Sequence, residues 1–174
     1  MSCRPNLTIA GCAVPVAICD EGLTQRYEPL GGGATLRLAD GSAIRQVRWR
    51  RLATTIAGTG ILPAALAGID WDQPVVLGCI ASRAVHTTGA PVALPVARRL
   101  DAPVFALAHL AGGDSLRPVA VNVEADVATV TPLAGATAYQ VHYYPLLTVF
   151  SQGPRETWDG VGAVAGWELV CEEV

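Results

Sequence analysis

The sequence predicts an all-β protein: a β-barrel or β-sandwich of many short antiparallel strands, with one short helix near 63–68. Three observations carry this. First, 18 glycines and 12 prolines punctuate 174 residues, and the runs between them are short and rich in Val, Ile, Thr and Leu. Such runs fit strands and are too brief for packed helices. Second, Ala34–Leu38 alternates apolar and polar residues, Asp40-Gly41 follows, and Ser42–Arg50 returns with Ile44, Val47 and Trp49. Asp-Gly between two such segments signals a type I′ hairpin. Third, Val119, Val121 and Val123 alternate up to Glu124-Ala125-Asp126, after which Val127–Thr131 returns as a second hairpin.

In chain order, Leu7–Ala10 and Val14–Ile18 read as two opening strands, with Pro15 placing the second at an edge. Glu21–Gly33 reads as a loop that closes on Gly31-Gly32-Gly33. Between Ile44 and Val47 strict alternation breaks, which predicts a bulge. Leu52–Ala57 is a further strand or a continuation, and Gly58-Thr59-Gly60 turns the chain. Pro63–Ala67 predicts one helical turn, with Pro63 at its start and Gly68 ending it. Pro74–Ile80, Val92–Val96 and Val104–Leu110 are strand candidates, and Arg98, Arg99 and Asp101 mark an exposed connection. Ala111–Arg117 reads as a loop and hinge. It divides a β-barrel-like main part, 1–111, from a hairpin-rich part, 112–174, unless 1–174 is one domain. Tyr139, Val141 and Tyr143 alternate along a strand, Leu147–Phe150 continues the sheet, and Gly166–Cys171 is the last strand, with Trp167, Leu169 and Cys171 on one face. Ala128–Val149 resembles the middle strands of a fibronectin type III module, but too few strands follow to complete one.

Composition limits the function classes. The net charge of −3 gives no general reason to bind nucleic acid, and no specific nucleic-acid partner is expected. Charged residues make up 16% and hydrophobic ones 51%, which suggests a surface that largely meets other protein. All twelve basic residues are arginine, the cation better suited to interface ion pairs. Leu52–Ile69 is uncharged but broken by Thr, Gly and Pro, so no membrane span is expected. The N-terminus does not read as a signal peptide, and the expected site of synthesis is a cytoplasm.

Chemical motifs are sparse. Gly31-Gly32-Gly33 lacks the Lys-Ser/Thr of a phosphate loop, and Gly58-Thr59-Gly60 lacks the third glycine of a dinucleotide fingerprint. Cys3, Cys12, Cys19, Cys79 and Cys171 form no Cys-x-x-Cys pair and read as small buried thiols. Asp70 and Asp72 fall on one side of an extended segment, a loop before a cation site. Ser115 and Ser151 lack the nucleophile elbow of hydrolases. His109 reads as a core or interface residue, His142 as one member of a cross-strand pair and His86 as part of an exposed turn. The expectation is therefore no catalytic residue, no cofactor and no metal. Arg45, Arg48, Arg50 and Arg51 form the one charge cluster, with Arg48 and Arg50 on one strand face and Trp49 on the other. Such a cluster tracks phosphates, pairs with carboxylates of a neighbouring subunit, or is a solvated face. Pairing with a neighbour is the functional reading, and these four are the candidate subunit-interface residues.

Val47–Gly60, followed by Pro63–Asp70, and the ending Gly166–Glu173 resemble small tail proteins of long-tailed bacteriophages. The resemblance implies a β-rich virion subunit of the distal tail type, made in the host cytoplasm. Its partners would be copies of itself, in a ring at the tail tip or baseplate, and other tail proteins. A tail tube or tail terminator subunit shares this description. A β-sandwich binding module and a hydrolase with an unrecognised triad are the readings from other classes.

Overall fold

The computed structural model describes residues 5–14, 22–112, 115–160 and 164–174. It is 62% strand and 3% helix, arranged as antiparallel sheets with, among the described residues, a single four-residue helix, α1 (Ala64–Ala67). The all-β class holds. No sheet closes into a barrel among the described residues, so the barrel form of the expectation gives way to a sandwich-like one.

The contacts divide the chain into two units, Met1–Leu7 with Gly78–Leu147, and Thr8–Leu77 with Thr148–Val174. The boundary expected at 111–118 falls elsewhere. Strands β8 (Phe105–Leu110) and β9 (Leu116–Val119), which flank it, pair antiparallel, so the loop there is a hairpin connection within one unit. The first unit is instead an excursion of the chain between β5 (Val75–Gly78) and β13 (Leu146–Ser151).

In the excursion, a four-stranded sheet runs β6 (Arg83–Thr87), β12 (Ala136–Tyr143), β8, β9. A three-stranded sheet runs β10 (Val121–Glu124), β11 (Val127–Val130), β7 (Val92–Ala93). One core includes Leu94, Ala106, Ala108, Ala128, Val130, Tyr139, Val141 and Tyr143. Tyr139, Val141 and Tyr143 are the alternating residues read from the sequence, because period two sends every second side chain of β12 to one face. The expected second hairpin is present: Glu124 pairs with Val127. Its two-residue turn places Ala125 and Asp126 at φ 45° and 64°, the type I′ signature. Pro118 lies on edge strand β9, where a missing N–H is tolerated.

Arg98 and Arg99, expected on an exposed connection, are buried. Arg98 pairs with Asp126 in the turn. Arg99 Nη1 donates to the carbonyls of Asn6, Gly78 and Cys79 at 2.5, 3.2 and 3.1 Å, and its Nε and Nη2 grip Asp101 at 3.1 and 2.6 Å. The planar fork of Arg99 reconciles burial with charge, because its N–H groups find acceptors on two sides, whereas the Nε of Arg98 is buried without a partner among the described residues. The Arg99 guanidinium holds the Asp101 carboxyl below its ordinary 3.8.

In the second unit a sheet runs β2 (Cys12–Val14), β1 (Leu7–Ile9), β5, β13, β15 (Val164–Glu173), β4 (Ala43–Thr59), β3 (Leu23–Arg37), with β14 (Arg155–Asp159) also on β15. Its inner face buries Ile9, Leu23, Ile56, Val75, Leu77, Val149, Leu169 and Cys171, and Leu66 of α1 is fully buried. Residues 15–18 of the expected second strand lie outside the described residues; the strand seen there starts earlier, at Cys12. Gly58 and Thr59 are strand, not turn, and the turn comes at Gly60, φ 94°. Gly58 stays in the strand because the Trp167 indole lies across it, leaving under 3 Å for a Cβ. The sequence reading missed β6, β9 and β14. Arg83–Thr87 and Arg155–Asp159 have little buried apolar alternation to reveal them.

The two arginine environments separate in stability. Arg99→Ala should cost about 3 kcal/mol in urea unfolding, the order expected for losing charged hydrogen bonds to buried acceptors. Arg26→Ala removes an exposed 3.3 Å pair with Glu28 and should cost roughly 0–1 kcal/mol. Equal costs would show that the buried fork contributes nothing special.

Candidate functional site

The segment read as a loop, Glu21–Gly33, is mostly strand. From Leu23, β3 runs fifteen residues without a break and pairs with β4 along its whole length. The glycines suggested a loop, but backbone pairing with β4 overrides their poor strand propensity. β4 in turn spans seventeen residues, so Leu52–Ala57 is a continuation of the Ser42–Arg50 strand.

Only the first half of this hairpin belongs to the sheet body. β15 pairs with β4 from Ala53 to Thr59. The last ties are the Glu173 carboxylate, accepting from Leu52 N at 2.9 Å, and the Val174 carbonyl, accepting from Arg51 Nε at 2.6 Å. Beyond them β3 and β4 pair only with each other among the described residues, and every residue from 33 to 51 is exposed. At 3.3 Å per residue this two-stranded ribbon extends roughly 25 Å.

Its tip is a tight loop: Gly41 N donates to the Leu38 carbonyl and Leu38 N to the Ser42 carbonyl, both at 2.9 Å. Gly41 has φ 84°, whereas Asp40 is not left-handed. The connection is therefore a three-residue turn ending in a left-handed glycine, not the expected two-residue type I′ form. Ser42 Oγ and N donate to the Asp40 carboxylate at 2.7 and 2.9 Å, the hydroxyl bond chief among the causes that hold its pKa below 3.8.

The bulge lies one step beyond the expected place. Gly32 faces Trp49 and Gly33 faces Val47, which leaves Arg48 as the extra residue. The three glycines are the reason it fits. A Cβ on Gly32 would meet the Trp49 indole at 2.2 Å, and one on Gly33 would meet the Gln46 carbonyl at 2.6 Å. The indole thus occupies the space a side chain at Gly32 would take.

Register assigns the faces, since directly opposed residues share one. Leu30, Gly32, Ala34 and Leu36 with Ile44, Gln46, Trp49 and Arg51 make one face. Thr35 and Arg37 with Arg45, Val47 and Arg50 make the other. The ribbon is therefore amphipathic: apolar on the Trp49 side and basic on the reverse. Of the four expected interface arginines, Arg45 and Arg50 lie together on the basic side. Arg51 lies on the Trp49 side, tied to Val174, and Arg48 occupies the bulge. The sequence reading missed the exposed Leu36, Ile44 and Trp49, each about half-exposed. Residues 30–52 hold five arginines and one aspartate, net +4, in a chain of net charge −3, so the remainder carries −7.

The Trp49 face continues onto the outer face of the body sheet. Ala53 pairs with Glu172 and Thr55 with Val170, and Phe150 lies opposite Glu172. A cavity of about 340 Å³ opens there, lined by Phe150, Gly153, Arg155, Val170 and Glu172.

The other candidates resolve differently. Asp72 N donates to the Asp70 carboxylate at 3.1 Å, a local turn. Cys79 and Cys171 are buried and Cys12 is exposed; Cys3 and Cys19 lie outside the described residues. No cluster of three or more metal-ligating side chains occurs, and no helix is long and apolar enough to cross a membrane, among the described residues. His86 lies in β6 opposite Gln140, not in a turn, and His109 is half-buried in β8. Ser151 Oγ donates to the Val170 carbonyl at 2.7 Å, and Ser115 is exposed. His142 Nδ1 lies 3.2 Å from Ser82 Oγ, and its ring stacks on Phe105 at 4.6 Å. Its Nε2 is buried with no hydrogen-bond partner, so no carboxylate orients this ring as a triad requires.

Burial pushes the His142 pKa below its usual 6.5. The unfolded chain then takes up a proton that the folded ring resists, so this contribution is present above pH 6.5 and is lost as pH falls. Lowering the pH from 7.5 to 5.5 should reduce the melting temperature of the parent more than that of His142→Phe; parallel decreases would contradict this.

Gly32→Val should displace the Trp49 indole. Amide exchange in 31–50 should speed up at least tenfold while the melting temperature changes by no more than about 2 °C, because those residues add nothing to the core. Unchanged exchange would mean that the indole does not hold the ribbon. Comparison of the chain with family models, with curated proteins and with solved structures gives no match.

Proposed function

We propose that the chain is a structural subunit of a bacteriophage tail, of the distal tail type, that assembles with copies of itself into a ring at the tail tip or baseplate. The single observation that carries this reading is the ribbon. An isolated two-stranded hairpin is marginal in water, and one with an apolar face and two unpaired edges is a site for association. A subunit that meets neighbours on both flanks has a use for such an arm: it pairs, covers or threads between copies, and the assembly supplies the burial its own chain withholds. The resemblance of Val47–Gly60 and Gly166–Glu173 to tail proteins supports the setting, since those segments are the ribbon's stem and the strand that anchors it. In this reading the chain acts without catalysis or cofactor, is made in the host cytoplasm and ends in the virion alongside other tail proteins.

Purified protein at tens of micromolar should elute as one discrete oligomer, measured by light scattering, and appear in negative-stain micrographs as closed rings of uniform diameter. A monomer at the highest attainable concentration would overturn the proposal.

A further inference from the structure

A ring needs a surface that receives the ribbon. Resting on the reading above, we propose that the Trp49 face of one copy's ribbon seats over the Phe150–Val170 cavity of the neighbouring copy. Three observations converge on this contact.

The first is the apolar match. Trp49, Leu36 and Ile44 project from one side of the ribbon, and Phe150 and Val170 are exposed on the outer face of the body sheet. The indole already packs against Gly32, so part of its conformational freedom is spent before any contact with a neighbour. The lining of the 340 Å³ cavity mixes apolar Phe150 and Val170 with polar Ser151, Gln152, Arg155 and Glu172, so it offers an indole both apolar contact and hydrogen-bonding groups. A large aromatic anchor in a receiving cavity is the usual centre of a protein interface.

The second is charge. Residues 30–52 carry net +4 against −7 for the rest of the chain. Arg37, Arg45 and Arg50 lie on the reverse of the ribbon, but Arg51 on the Trp49 side and Arg48 in the bulge are placed to meet Glu168 and Glu172, which stand on the outer face beside Val170. Complementary charge brings copies together and sets their register.

The third is that the contact is closed to a single copy. Trp49 and Thr55 share one face of β4, and Thr55 pairs with Val170. Trp49 and Val170 therefore point the same way from one sheet, six strand positions or roughly 20 Å apart. Only a second copy, turned to face the first, brings the Trp49 indole to the cavity, beside the receiving chain's own Trp71 indole, which lies against Gly153. The donor and receiving patches are different residues, so each copy has one of each to offer.

The test uses one variant on each side, Trp49→Glu and Val170→Glu, with Val47→Glu on the reverse face as control. All three positions are exposed, so melting temperatures should stay near that of the parent; Phe150→Glu replaces Val170→Glu if the latter melts early. Light scattering should show that each of the first two weakens self-association at least about 30-fold, the loss of a hot-spot residue. Val47→Glu should leave it within about twofold. Mixing the Trp49→Glu and Val170→Glu proteins should restore association as a one-to-one heterodimer, because one intact ribbon then meets one intact cavity. If the parent assembles and the two variants assemble like it, or their mixture stays monomeric, this contact is wrong while the ring survives. If Val47→Glu also dissociates the assembly, the choice of face is wrong. A parent that stops at a two-fold dimer, with both variants monomeric, supports the contact and overturns the ring. A monomeric parent overturns both.

Discussion

Strand β4 is hydrogen-bonded on both sides only from Ala53 to Thr59, and the rest of the second unit depends on where that double pairing stops. Within it, inward-facing Thr54 and Ile56 are buried and the strand is part of a sheet. Even the buried hydroxyl of Thr54 is satisfied there, accepting from Gln25 Nε2 and donating to the Arg26 carbonyl, both at 2.9 Å. Past Ala53 the partner on one side runs out. The side chains of Glu173 and Arg51 with the Val174 carbonyl close the seam, and among the described residues the strand goes on with one neighbour only.

From that point the apolar side of the hairpin changes over. In the body the Ile56 face is the buried one; in the ribbon the apolar residues lie on the opposite face, with Trp49. A ribbon that merely extended the core would keep its hydrophobes on the core side. This one reverses them, and the bulge at Arg48, which adds local twist, sits at the crossover. The basic face then falls on the side continuous with the core. Such an arrangement turns the apolar side of the ribbon away from the core of its own chain.

Much of the strand pattern was legible because period two leaves a trace wherever one face is buried. Tyr139, Val141 and Tyr143 announce β12, and Trp167, Leu169 and Cys171 announce β15, since each set meets a core. Strands without a buried face leave no such trace, which is why Arg155–Asp159 passed unseen and why Gly31-Gly32-Gly33 read as a loop. The arginine cluster was legible as a surface feature, but its division between two faces was not: that depends on a one-residue bulge whose position only pairing fixes. Arg98 and Arg99 were misread for a different reason. Sequence marks them as charged, whereas their burial rests on distant acceptors, the Asp126 carboxylate for Arg98 and carbonyls as far away as Asn6 for Arg99.

The two tryptophan–glycine pairs, Trp49 with Gly32 and Trp167 with Gly58, bear on how this sequence is free to drift. In each pair the indole occupies the space of the missing side chain, so the two positions are one unit of variation. A descendant that gains a side chain at 32 or 58 while keeping the indole suffers a clash at once. One that first loses the indole uncovers a glycine that any strand-forming residue then improves. The order of change is therefore fixed at 58 and 167, where the indole is buried: tryptophan before glycine, through a chain with an uncovered stretch of backbone; at 32 and 49 the exposed indole can be pushed aside. A buried tryptophan at 167 should therefore not occur without glycine at 58.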